Sequence, residues 1–134
     1  MDALLAGEHS ILSVLRAQAS ACVVSNRRHT GVGSFTDIVV PDSIPRVSPS
    51  SLIIGDVDVE VSGVEHGQTT LLFVRDGALT MLEFAIYTGE WPTDPQAERI
   101  GYFRYVPSQS GGYSLVPNDG RDPGTLAIPL SGRA

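Results

Sequence analysis

The stretch LLFVRDGALTMLEFAI, residues 71–86, decides the fold class. Two apolar runs flank Asp76-Gly77, and Asp-Gly between such runs predicts a two-residue hairpin, because a type I′ turn needs positive φ at both central positions. An uninterrupted register then sets Arg75 opposite Ala78, Val74 opposite Leu79, Leu72 opposite Met81 and Thr70 opposite Glu83. On that register Val74, Leu72, Leu79, Met81, Glu83 and Ala85 share one face, and Phe73, Leu71, Leu82, Phe84 and Ile86 share the other. Both faces are apolar, so both need cover. The carboxylate of Glu83 stands out in such a run, since a buried carboxylate is normally paired. Arg99 and Arg104 are the candidate partners, with a rim position in solvent or a contact on a binding face as the other readings.

Outward from the hairpin, DVDVEV (56–61) alternates strictly, with Val57, Val59 and Val61 on one side and Asp56, Asp58 and Glu60 on the other. That pattern predicts a half-buried strand with an acidic outer face. CVVSNRRHT and SFTDIVVP read as two strands around Gly31-Val32-Gly33, and RIGYFRYVP (99–107) as a further one. PDSIPRVSPS (41–50) reads as a surface connection. Leu4, Leu5, Ile11, Leu12, Val14 and Leu15 recur at helical spacing, which predicts an N-terminal helix over about 2–19, with a break at Gly7 and a cap at Ser10. Residues 108–134 are rich in Gly and Pro, with TLAIPL as a candidate edge strand. The expected fold is α+β: one domain over 1–134, its N-terminal helix packed on one face of a roughly six-stranded, mainly antiparallel sheet spanning about 22–107.

The chain has 134 residues and is 42% hydrophobic, enough for one core. Its nine bases are all arginine, its acids number fifteen, and its net charge is −6. That balance argues against nucleic acid and anionic membrane, which need clustered positive charge, and favours a basic partner. No run of 18 apolar residues predicts a membrane span. The single cysteine, Cys22, excludes an internal disulfide and fits a reducing, cytoplasmic setting. It follows Ala19-Ser20-Ala21 as in a lipoprotein cleavage box, but Asp2, Glu8 and Arg16 break the leader that such a box requires.

Catalytic signals are weak. The three histidines lack metal-ligand spacing, Asp56, Asp58 and Glu60 lack the loop of a calcium site, and GVGSF precedes a strand where a dinucleotide fingerprint needs a helix. No catalytic residue, metal or cofactor is therefore assigned. A hydrolytic pair of Glu83 and His66 ranks last among the functions weighed.

TGVGSFTDIVVP, GDVDVEVSGVEHGQTTLLFVRDGALTMLEF and YTGEWP together resemble a group of small stand-alone bacterial proteins associated with the immunity proteins of polymorphic toxin systems. The resemblance covers roughly residues 30–95. It rests on Glu65-His66-Gly67, Asp76-Gly77, Leu82-Glu83 and Trp91-Pro92, and it departs at Phe84, where the group has glycine. It implies an α+β fold and a protein that neutralises a partner by binding it; with the acidic net charge, the candidate partner is a basic toxin domain. The candidate partner-binding residues are Asp56, Asp58, Glu60, Glu65, His66, Glu83 and Trp91. The alternative is a small-molecule-binding or homodimeric domain that uses the second face of the hairpin as pocket wall or dimer interface.

Overall fold

The computed structural model describes residues 1–62, 64, 68–86, 92 and 96–131. A 3-10 turn, Ala3–Leu5, precedes helix α1, Ser10–Ala21, and strands β1, Val23–Thr30, and β2, Gly33–Val39. After the connection come β3, Leu52–Ile54, β4, Val57–Val61, β5, Gln68–Arg75, and β6, Ala78–Ile86. Strands β7, Ala97–Pro107, and β8, Tyr113–Asn118, and helix α2, Pro123–Leu130, complete the order. The fold is α+β with the N-terminal helix packed against sheet. The described strands form two antiparallel sheets, one in the order β1-β2-β6-β5-β3 and the other β4-β7-β8. The split falls at Gly55-Asp56, where the chain leaves one sheet for the other. A Cβ at Gly55 would meet the end of the Leu71 side chain at 2.6 Å, so a larger residue at the crossing would have to displace that methyl.

The expected helix is interrupted near Gly7, whose φ is 129°. The cap moves one residue from the expected Ser10: the imidazole Nδ1 of His9 accepts from the Ile11 amide at 3.1 Å. Leu12 and Leu15 are fully buried, and with Leu4 and Leu5 they cover Leu72, Val74 and Leu79 of the hairpin. Gln18 fixes the docking. Its side chain is wholly buried, donates from Nε2 to the carbonyls of Pro45 and Gly77 at 2.9 Å each, and accepts the Leu79 amide at 2.9 Å. One glutamine thus binds helix, hairpin tip and the 41–50 connection, and its buried polar atoms are satisfied.

The C-terminal segment differs from expectation. Residues 113–118 pair with β7 as β8, and TLAIPL is part of helix α2, not an edge strand. Asp122 and Pro123 explain the change: Asp122 Oδ2 accepts from the Thr125 amide at 2.9 Å and its hydroxyl at 2.7 Å, while Pro123 occupies the first turn, where its missing donor costs nothing. Leu126 and Leu130 then enter the core.

The hairpin tip matches its expected form. Asp76 and Gly77 both have positive φ, 53° and 75°, and Arg75 opposes Ala78 as Val74 opposes Leu79. Beyond that the register shifts by one residue between Phe73 and Val74, and Phe73 pairs with Met81, Leu72 with Leu82, Leu71 with Glu83 and Thr70 with Phe84. This bulge at Thr80 reverses the expected faces of the rest of β6. Leu82, Phe84 and Ile86 join the Leu72 side, and Met81, Glu83 and Ala85 turn to the opposite one.

Candidate functional site

The reversal places Glu83 on the outer face of the five-stranded sheet, away from α1. Phe35 of β2 and Leu71 of β5 are its neighbours on either side, and Arg28 of β1 lies beyond Phe35 in the same row. The next row runs Asn26, Asp37, Met81, Phe73 and Ile53. Phe35, Leu71, Phe73, Met81 and Glu83 are half-buried, each shielded on its flanks by strand neighbours, and Ile53 is exposed. None of these five apolar side chains belongs to the core cluster or packs against it. The expected second apolar face therefore exists, with a membership set by the bulge.

Charge on this face is organised. The Arg28 guanidinium lies 5.0 Å from the Phe35 ring centroid and donates to Asp37 Oδ1 at 3.2 Å. Arg75 sits 5.9 Å from the centroid of Phe73. Such cation–π contacts hold the arginines flat against the apolar surface. Glu83 has no ion pair among the described residues, and the expected Arg99 pairs with Glu60 at 3.1 Å instead. The centre of the patch is thus a carboxylate between an aromatic and an aliphatic side chain, without a counter-ion among the described residues. Sequence inspection missed Arg28, Phe35 and Asp37 as part of it, although the alternation in RRHTGVGSFTDIV places them on one face once the β1–β2 hairpin is drawn.

The acidic strand is less available than its pattern indicates. Val57 and Val61 do face inward and are buried. Asp56, however, is 1% exposed and is gripped by Arg121, with Nε to Oδ2 at 2.9 Å and Nη2 to Oδ1 at 2.7 Å. The expectation of an outward Asp56 is corrected: the residue precedes the strand, and Arg121 folds over it. Asp58 is 9% exposed. Glu60 is exposed and carries the Arg99 pair. Glu65, His66 and Trp91 lie outside the described residues.

Burial pushes the Asp58 carboxyl above its ordinary value of 3.8, with Arg99 opposing the shift and Glu60 adding to it. A carboxyl with a raised folded pKa makes the folded state the tighter proton binder, so its contribution turns unfavourable as pH rises through that range. Asp58→Asn is therefore expected to raise the urea midpoint at pH 7, and the gain should vanish at pH 3, where the carboxyl is protonated in both states. An equal gain at both pH values would contradict the burial argument.

Comparison of the chain with family models, curated proteins and solved structures returns no match. The resemblance to immunity-type proteins accordingly rests on its sequence motifs alone.

Proposed function

We propose that this chain acts by binding a protein partner, without catalysis, through the outer face of its five-stranded sheet. The observation that carries the proposal is Glu83, a carboxylate without an ion pair among the described residues, set between Phe35 and Leu71 on an apolar face outside the core. A partner offering a lysine or arginine flanked by apolar side chains is the chemical complement, and the net charge of −6 favours its approach. Five strands about 4.8 Å apart give a face roughly 20 Å wide, the scale of a modest protein interface. A basic toxin domain neutralised by contact fits this description and the resemblance of the motifs.

The experiment is co-expression with the product of the adjacent gene. A complex should co-purify, weaken as salt rises, and lose at least tenfold in affinity with Glu83→Arg, because reversing a central interface charge costs more than the roughly 1.4 kcal/mol that a factor of ten represents. Wild-type chain that leaves the neighbour unbound would refute the proposal, as would an unchanged complex with Glu83→Arg. Sedimentation distinguishes the other occupant: a dimer that Glu83→Arg converts to monomer would mean that a second copy covers this face.

A further inference from the structure

The inner face of the same sheet is only partly used by the core. Ile38, Leu72, Val74 and Leu79 lie under the helices. Farther along the strands the face continues as a cleft of about 440 Å³, floored by Thr36, Leu82 and Phe84 and walled by Val59 and Val61 of the second sheet. An adjoining chamber of about 460 Å³ shares Met1, Val59, Phe84 and Ala97 with it and reaches Thr70. Spaces of this size between sheets, lined by apolar side chains with a few convergent polar groups, are typical of small-molecule sites. The Thr80 bulge creates this one, because it turns Leu82 and Phe84 inward.

The polar side chains on one wall give the site its chemical character. Along β1, Arg27 and His29 lie opposite Thr36 and Ser34, and all four line the cleft. Arg27 is exposed and has no ion pair among the described residues, in a chain of net charge −6. A lone guanidinium at one side of an apolar cleft fits a carboxylate, which it can hold through two parallel charge-assisted hydrogen bonds. The adjoining chamber reaches the buried hydroxyl of Thr70.

We infer that the cleft between the two sheets binds a small carboxylic acid with an apolar body. The carboxylate meets Arg27 with His29 beside it, and the body lies on Leu82, Phe84 and Val59. The site is on the opposite face of the sheet from Glu83, so it operates in the free protein and does not depend on the partner proposal.

Octanoate and 4-phenylbutyrate are suitable probes, with 1-octanol as the chain-matched neutral control, titrated into the isotope-labelled full chain and followed by NMR. At least one acid should bind, with intermolecular NOEs to the methyls of Leu82 and Val59 and none to those of Leu71 and Ile53. It should bind about tenfold more tightly than the alcohol, and Arg27→Gln should remove that difference, as expected for loss of one charge-assisted pair. Arg27 is exposed, so this variant keeps its fold. The inference is overturned if neither acid binds at millimolar concentration, if acid and alcohol bind equally, if Arg27→Gln leaves the preference intact, or if the NOEs arise from Leu71 and Ile53.

Discussion

Arg121→Met should destabilise the protein by about 3–5 kcal/mol, because it leaves the carboxylate of Asp56 buried without its counter-ion. Asp56 and Arg121 are respectively 1% and 10% exposed along their side chains, so solvent screens the pair little. Arg121 also donates to the carbonyls of Ala6 and Ala3 at 2.8 and 3.2 Å and lies 5.3 Å from the centroid of Tyr102, whose hydroxyl donates to Ala3 at 2.8 Å. One guanidinium therefore joins the 3-10 turn, the start of β4 and the strand β7. Chemical denaturation of Arg121→Met checks the magnitude, and the double variant with Asp56→Asn should recover a large part of the loss by removing the stranded charge. A single variant within 1 kcal/mol of wild type would mean that Asp56 is solvated and open to a partner, as the alternation of DVDVEV first indicates.

Gly77→Ala should cost about 3 kcal/mol, of which roughly 1 comes from positive φ and the rest from overpacking. A Cβ at Gly77 would lie 2.7 Å from Arg46 Cβ and 2.8 Å from the Val47 carbonyl oxygen. The backbone there cannot retreat, because Gly77 N donates to Ser50 at 2.7 Å while its carbonyl accepts from Val47 N at 3.0 Å and Gln18 Nε2 at 2.9 Å. Gly31→Ala is the control, since nothing lies within 4 Å of its added Cβ. Thermal or urea denaturation should separate the two variants clearly. Equal, small losses would show that the hairpin tip is free of the 41–50 connection.

Local chemistry explains which features could be read from the chain. The Asp76-Gly77 tip needs its backbone angles whatever surrounds it, and the valines of 57–61 declare their inward face by period alone. The helix break near Gly7 was legible for the same reason. Long-range features were not. The Asp56–Arg121 pair spans 65 positions, and no local pattern links its members. Gln18 looks like a surface residue until the 41–50 connection is folded beside it. TLAIPL is short enough for strand or helix, and Asp122 with Pro123 decides the matter. The bulge had the widest effect and the weakest signal: Thr80 is an ordinary strand residue, yet the one-residue shift it absorbs moves Glu83 outward and Phe84 inward. Of the candidate site, Glu83 was visible as an anomaly, but its surroundings of Arg28, Phe35 and Phe73 depended on that shift.

Both functional proposals rest on the bulge, so the register of the β5–β6 hairpin is the measurement that tests them most directly. Cross-strand NOEs between backbone protons of the labelled protein report it residue by residue. The structure predicts contacts that pair Leu72 with Leu82 and Thr70 with Phe84, beside an unshifted Val74–Leu79 pair. Contacts of Leu72 with Met81 and of Thr70 with Glu83 would contradict it, since Glu83 would then point into the cleft and the outer face would lose its carboxylate.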